Sequence, residues 1–231
     1  MIASLKKELA ALDARQIIQF ISDRYGDKAV FSTSFGIEDQ VITHMLADAG
    51  TKASIFTLET GRLFPETYYV WNRTLEKYGL PIKAYYPDTA AVERLVTEKG
   101  PSSFYESVEN RKECCYIRKI EPLKRAIQGY EIWITGIRAE QSANREDMDF
   151  VEWDAANQII KVHPLFHWTL SDVEDFLKQH HVPYNPLHDK GFPSIGCQPC
   201  TRAIQPGDDF RAGRWWWEDK SKKECGLHAT N

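Results

Sequence analysis

No stretch of the 231-residue chain approaches the roughly 18 uncharged apolar residues that a membrane span needs. The opening Met1-Ile2-Ala3-Ser4-Leu5-Lys6-Lys7-Glu8 lacks the apolar centre of a secretory leader. Positive charge is not in excess either. Lys and Arg number 29 against 33 Asp and Glu, and the formal net charge of −4 argues against nonspecific nucleic-acid binding. There is no internal repeat and no low-complexity tract. Hydrophobic content of 42% and charged content of 27% are ordinary for a soluble globular protein, and the length suits one α/β domain or a domain with a short appendage. These absences point to a reducing cytoplasm, with neither membrane nor nucleic acid as a partner. There, thiols serve metal binding or catalysis more often than structural disulfides.

Cysteine is scarce, and its five copies fall into three groups. Cys114 and Cys115 are adjacent, Cys197 and Cys200 form a Cys-Gln-Pro-Cys pair, and Cys225 stands alone near the C-terminus. Adjacent cysteines are poor disulfide partners, and an odd count always leaves one thiol over. Two pairs suggest the ligands of one metal centre; a single thiol in a polar tail suggests a nucleophile.

Apolar periodicity predicts helical structure over 3–24, with Leu5, Leu9, Leu12, Ile17, Ile18 and Ile21 on one face. Further helices are expected at 38–49, 65–78 (with Pro65 in the first turn), 89–99, 115–127 and 171–179. Short apolar runs at 28–32, 53–58, 82–86 and 131–135 read as strands. Strands alternating with helices predict an α/β fold with a doubly wound, mostly parallel sheet. From about Asn185 the chain is rich in Pro, Gly, Trp and charge, which predicts an irregular C-terminal segment and a mobile tail. Ligands of such sheets bind beyond the carboxyl ends of the strands. The polar or glycine-bearing loops there are 32–39, 59–64 and 136–145.

Ser32-Thr33-Ser34-Phe35-Gly36-Ile37-Glu38-Asp39 can direct backbone N–H groups and a positive helix end at a phosphate. A Gly-Lys-Ser/Thr ending is absent, so this is no Walker A loop. The same residues equally suit an ordinary helix cap with Ser34 or Thr33. Arg62, in Glu59-Thr60-Gly61-Arg62, is either an anion or base partner or a solvated turn residue. The Cys-x-x-Cys pair chelates well, but an adjacent second pair fits a zinc ribbon poorly. An iron–sulfur cluster, whose irons are set apart, accommodates neighbouring thiolates. Arg111, Lys112, Arg118 and Lys119 would lower thiol pKa values and balance cluster charge. Buried structural thiols are the alternative. Cys225 lies near Lys222, Lys223 and His228, a setting for a thiolate nucleophile or for an incidental surface thiol; Gly226 permits close approach. Arg211 and Arg214 are a helical turn apart and can face one anion, or form a solvated face beside Trp215-Trp216-Trp217. The histidines at 163, 167, 180, 181 and 188 have no ligand-like context.

Taken together, Ser34–Asp39, Thr60–Thr67, Cys114–Lys119, Cys197–Thr201 and Glu224-Cys225-Gly226-Leu227-His228 resemble the assimilatory adenylylsulfate reductases, the iron–sulfur branch of the sulfonucleotide reductase family. The resemblance implies an adenine nucleotide alpha hydrolase-like fold, with residues 1–200 as a sulfonucleotide-binding domain and 201–231 as the segment and tail that carry the nucleophile. It implies reduction of adenosine 5′-phosphosulfate to sulfite and AMP, with electrons from thioredoxin or a similar dithiol protein. Cys225 would attack sulfur to give an S-sulfocysteine, with His228 and Lys119 assisting. Ser32, Ser34, Gly36, Glu59, Thr60, Gly61, Arg62, Arg145, Arg211 and Arg214 would hold substrate. A [4Fe–4S] cluster would sit on Cys114, Cys115, Cys197 and Cys200, and the chain would form a homo-oligomer. Acceptance of the 3′-phosphorylated sulfonucleotide stays open, and a metal-bearing sensor and a nucleotide-activating sulfurtransferase are the competing readings.

Overall fold

The computed structural model describes residues 2–141 and 148–219. Among them a six-stranded sheet runs in the order β3-β2-β1-β4-β6-β5. Its strands are β1 (Ala29–Ser32), β2 (Ser54–Leu58), β3 (Ile82–Tyr85), β4 (Ile132–Ile134), β5 (Val151–Asp154) and β6 (Ile159–Val162). β1 pairs in parallel with β2 and with β4, placing Val30 opposite both Ser54 and Trp133. β4 pairs in parallel with β6, and β5 closes the edge antiparallel to β6. Every residue of β4 and β6 is buried, as a strand covered on both faces requires. The mostly parallel sheet expected from the alternation is present, and the strand order reverses beside β1, the place where doubly wound sheets open a ligand crevice.

The helices are α1 (Ile2–Leu9), α2 (Ala14–Tyr25), α3 (Ile37–Asp48), α4 (Pro65–Tyr78), α5 (Thr89–Lys99), α6 (Val108–Cys115), α7 (Glu121–Ile127) and α8 (Leu170–Gln179). None of the described helices is long and apolar enough to cross a membrane. The periodicity over 3–24 is shared by two helices rather than one. Asp13 starts the second with a capping box, accepting from Gln16 N while the Gln16 side chain accepts from Asp13 N, both at 2.9 Å. The helical run at 115–127 is likewise composite. α6 ends at Cys115, the turn Tyr116–Ile120 is π-helical, and α7 follows. The β5–β6 hairpin was not expected from the sequence.

The chain divides into two compact units. The first takes the described parts of Met1–Phe56, Glu66–Lys83 and Gly129–Pro186; the second takes those of Thr57–Pro65, Ala84–Gln128 and Leu187–Asn231. The first unit holds the main core, where Ile17, Ile18 and Ile21 of α2, Val41, Ile42 and Met45 of α3, and Val173 and Leu177 of α8 meet Phe31, Ile134 and Val162. α3 is buried on almost all sides, so its polar residues must find partners inside. Gln40 donates to Thr74 Oγ1 at 2.8 Å and to Pro183 O at 2.7 Å, and Thr43 donates to Asp39 O at 2.7 Å. The second unit carries a smaller cluster in which Leu95, Phe104 and Trp215 pack with Cys114, Cys197 and Cys200.

Asp13→Ala removes the cap that separates α1 from α2. It should cost about 1 kcal/mol of stability, read as a lower urea midpoint with an unchanged m-value; an unchanged midpoint would show that packing alone sets the helix start.

Candidate active site

In the first unit, β1 ends at Ser32 and the loop 33–36 leads into α3. Phe35 takes a left-handed φ of 61°, which side-chain-bearing residues adopt only when held there. Its buried ring stacks on Trp71 at 5.2 Å, and its N–H donates to Thr33 Oγ1 at 3.1 Å. The backbone N–H and the hydroxyl of Ser34 both donate to Asp39 Oδ2, at 2.6 and 2.8 Å. Ser32 Oγ accepts from the Trp133 indole N–H at 2.8 Å. Gly36 is the N-cap of α3 and provides no side-chain cap. At the end of β4, Gly136 lies so close to Asp39 that a β-carbon there would collide with the carboxylate. Burial pushes the Asp39 carboxyl up to about 7, with Glu38 adding to the rise and the two Ser34 bonds opposing it. Glu38 is held by Arg138 Nε at 2.9 Å, and both side chains are buried. The sequence places Asp39 at the end of the loop motif but gives its carboxyl no role, and it does not mark Arg138. The signal available was their place, just beyond the ends of two neighbouring strands.

In the second unit, Glu59 N donates to Tyr85 O at 3.0 Å, and Glu59 Oε1 accepts from Gly61 N at 2.8 Å. Gly61 has a φ of 71° and leaves room for the Arg118 guanidinium, which donates to Thr60 O at 2.6 Å. The Thr60 hydroxyl lies 3.3 Å from Cys197 Sγ. Arg62 stands 4.7 Å over the Phe104 ring, and its carbonyl accepts from Gln198 N at 2.8 Å. The Cys-Gln-Pro-Cys turn is therefore docked on the 59–62 loop, through both backbone and side chain.

Cys114 and Cys115 end α6, and the π turn that follows carries Arg118 and Lys119. Such widened turns recur at functional sites. Four free, buried thiols, Cys114, Cys115, Cys197 and Cys200, line one cavity with Arg62, Arg118, Lys119 and Arg214. The cavity is narrow, about 20 Å³ in volume. At Gly196 a β-carbon would run into the Arg214 guanidinium, so a side chain there would push that arginine aside. Arg211 and Arg214 stand 5.9 and 4.8 Å from the Trp215 ring centre. Lys112, by contrast, is exposed.

Electrostatics divides the thiols. Burial pushes Cys114 up, although Arg62 and Arg118 oppose it. Burial and the neighbouring Cys197 push Cys200 up to about 12. Burial also opposes ionisation of Cys197, but Lys119, the Thr60 hydroxyl, Arg214 and Arg62 outweigh it and hold that thiol below its ordinary range. Among the described residues, no three His, Cys, Asp or Glu side chains are arranged to hold a metal ion.

A family model described as the phosphoadenosine phosphosulfate reductase domain matches residues 28–203. The chain belongs to that family. It is accordingly an enzyme, as the motifs implied. The adenosine 5′-phosphosulfate reductase of Burkholderia cepacia is 50% identical over 231 residues, covering 98% of this chain and 91% of the relative. A solved structure of the phosphoadenylyl-sulfate reductase of Candida auris, a phosphate complex, matches with a TM-score of 0.74 at 26% identity, covering 88% of this chain and 96% of that one. An FMN adenylyltransferase of Candida glabrata, in complex with FAD and pyrophosphate, matches at 0.56 and 17%, covering 96% and 77%. That likeness concerns the fold alone, and with the first it supports the adenine nucleotide alpha hydrolase-like class.

Of the residues expected from sequence, the structure gathers Arg62, Cys114, Cys115, Lys119, Cys197, Cys200 and Arg214 around one cavity. Arg211 stands beside it on Trp215, and Glu59, Thr60 and Gly61 form the loop that supports it. Ser32, Ser34 and Gly36 lie in the loop after β1. Arg145, Cys225 and His228 fall outside the described residues.

The Asp39 carboxyl generates a pH test. The folded chain keeps this proton to about pH 7, whereas the unfolded chain releases it near pH ~4. The associated stability is full below the unfolded value and is lost as pH rises through the folded one. Asp39→Asn removes the titration, so the parent should lose urea stability relative to the variant between about pH 4 and pH 7. Parallel pH profiles would count against a buried, neutral carboxyl. Separately, Gly196→Ala should displace the Arg214 guanidinium with little change in thermal melting, because the far end of that side chain can give way, and should lower the iron content of purified protein.

Proposed function

We propose that the chain reduces adenosine 5′-phosphosulfate to sulfite and AMP in the assimilation of sulfate, using thioredoxin or a similar dithiol protein as electron donor. Two things support the reading. The relatives that bear this name match nearly the whole chain. The observation that carries it is the convergence of two cysteine pairs, separated by 82 or more positions, on one cavity walled with cations.

The four thiols fit a [4Fe–4S] cluster on chemical grounds. They line one space, and a cluster offers four irons set apart, so that adjacent thiols can each meet a different iron. Cys114, Cys115, Cys197 and Cys200 would be its ligands, with Thr60, Arg118 and Lys119 around the sulfurs. When bound, the cluster would supply a fixed charge within this cationic wall and a rigid tie between two distant segments.

The redox step belongs to thiols. Cys225, as thiolate, attacks the sulfur of the sulfonucleotide; an S–S bond forms, the S–O bond breaks, and AMP leaves with the electron pair. The developing phosphate charge is met by Lys119, Arg145, Arg211 and Arg214, with His228 beside the nucleophile. A donor thiolate then attacks Cys225 Sγ, expelling sulfite. The donor's second thiol resolves the mixed disulfide, so two electrons pass from dithiol to sulfur. Ser32, Ser34 and Gly36 at the end of β1, and Glu59, Thr60, Gly61 and Arg62 after β2, are assigned to the nucleotide. Residues 1–200 carry these groups, and 201–231 carry the segment and the reactive tail; a homo-oligomer in the cytoplasm completes the reading.

The test is an intact-mass spectrum of anaerobically purified protein mixed with adenosine 5′-phosphosulfate and no thioredoxin. A gain of one SO₃ unit on Cys225, removed by thioredoxin, is expected; no adduct from protein with bound iron would overturn the covalent mechanism. Cys225→Ser should keep the brown chromophore and lose sulfite release. Cys197→Ser should lose both, and full activity without iron would refute the cluster.

A further inference from the structure

Arg111, one of the cations lining the thiol cavity, is held in an ion pair of a different kind. Arg111 of α6 is fully buried, and its Nε and Nη2 donate to Glu218 Oε1 and Oε2 at 2.9 and 2.8 Å. The side chains are 0 and 4% exposed. The carboxylate offsets the positive charge that Arg111 brings to the cavity wall, so adding charge at the thiols is not what this pair serves. Its geometry supplies a reason for it to be there. Two parallel bonds fix the plane of a guanidinium, and they leave its remaining N–H groups with a set direction. Cys115 lies one helical turn beyond Arg111, within its hydrogen-bonding reach, and both line the cavity. The same guanidinium stands 4.8 Å over the ring of Trp215.

Trp215 is in turn the platform of Arg214 and Arg211. It is buried and takes a left-handed φ of 41°, and its N–H donates to Cys200 O at 3.2 Å. Glu218 N donates to Trp215 O at 2.9 Å. One carboxylate therefore bonds a helix that carries one cysteine pair and belongs to the segment leading from the other.

We propose that Glu218 is a positioning residue, which aims Arg111 at the Cys115 sulfur and, through Trp215, fixes Arg211 and Arg214 with respect to the four thiols. This rests on the reading that the thiols hold an iron–sulfur cluster. Placement of the arginines is then coupled to the integrity of the cluster: loosening one loosens the other.

The experiment uses the full chain, purified anaerobically, as parent, Glu218→Gln, Glu218→Asp, Arg111→Met and the double variant Arg111→Met/Glu218→Gln. The readouts are the Mössbauer spectrum and the rate at which a ferrous chelator removes iron. Glu218→Gln should release iron about tenfold faster, the scale of losing a ligand's supporting partner, and should shift the quadrupole splitting. Glu218→Asp should recover part of both. In the Arg111→Met background the Glu218→Gln change should have no effect, because no guanidinium remains to be aimed. A parent-like spectrum and release rate in Glu218→Gln overturns the proposal, as does an undiminished effect in the Arg111→Met background. If Glu218→Gln does not fold, the comparison is made with Glu218→Asp, singly and in the Arg111→Met background, and parent-like behaviour there overturns it equally. Parent protein without iron or acid-labile sulfide overturns the cluster reading and this proposal with it.

Discussion

Thiols buried together repel one another as soon as more than one ionises, and the second unit sets cations against that repulsion. Arg62, Arg111, Arg118, Lys119 and Arg214 all face the cavity lined by Cys114, Cys115, Cys197 and Cys200. The offset is uneven. Cys197 is held below its ordinary range while Cys114 and Cys200 are pushed above theirs. Charge attraction between thiolates and cations falls off slowly in a poorly solvated site, so every segment that brings a cation must be held near every segment that brings a sulfur. That requirement accounts for why four stretches far apart in sequence meet at one place.

The backbone meets it with a few local devices. The π turn after Cys115 sets the angle at which Arg118 and Lys119 emerge. Gly61 accepts a positive φ and leaves space for Arg118, while Gly196 lets Arg214 lie against the chain beside Cys197. Gly213 lets the carbonyl of Arg202 approach, so the strand-like bridge between Thr201 and Arg214 can form. A side chain at any of these three positions would separate a cation or a supporting strand from the sulfurs. Specificity of this kind is steric, and it costs little in stability as long as the glycines are retained.

These relations explain which parts were legible in the sequence. The parallel strands are buried on both faces and read as apolar runs, so β1, β2 and β4 stand out. β5 and β6 do not, because the partner of their packing is ionic. Lys161, buried in the middle of β6, pairs with Asp154 of β5 at 2.8 Å, and a lysine within a strand disguises it. The break between α1 and α2 depends on one capping residue, Asp13, within a continuous apolar stripe. At the site, the cysteine pairs were legible because chelate spacing is local. The Arg111–Glu218 bond spans 107 positions and leaves no local trace. The return of the Asp39 carboxylate onto Ser34 was also invisible, since in sequence Asp39 is simply an acidic residue in a first helical turn, where such residues are common.

Fold and chemistry are carried by different residues here. A flavin nucleotide adenylyltransferase shares the fold at 17% identity and a TM-score of 0.56, so the sheet cannot by itself select a reaction. The phosphoadenylyl-sulfate reductase of Candida auris is closer in shape at 0.74, and still only 26% identical. What separates this chain from a generic nucleotide-binding sheet is the second unit, whose thiols and arginines have no part in holding the sheet's main core. Substrate choice between the two sulfonucleotides turns on one phosphate. Discriminating it requires only the presence or absence of a few positioned donors, a difference of local charge that leaves the fold untouched. The 50% identity to adenosine 5′-phosphosulfate reductases over nearly the whole chain is thus more informative about substrate than any likeness of shape.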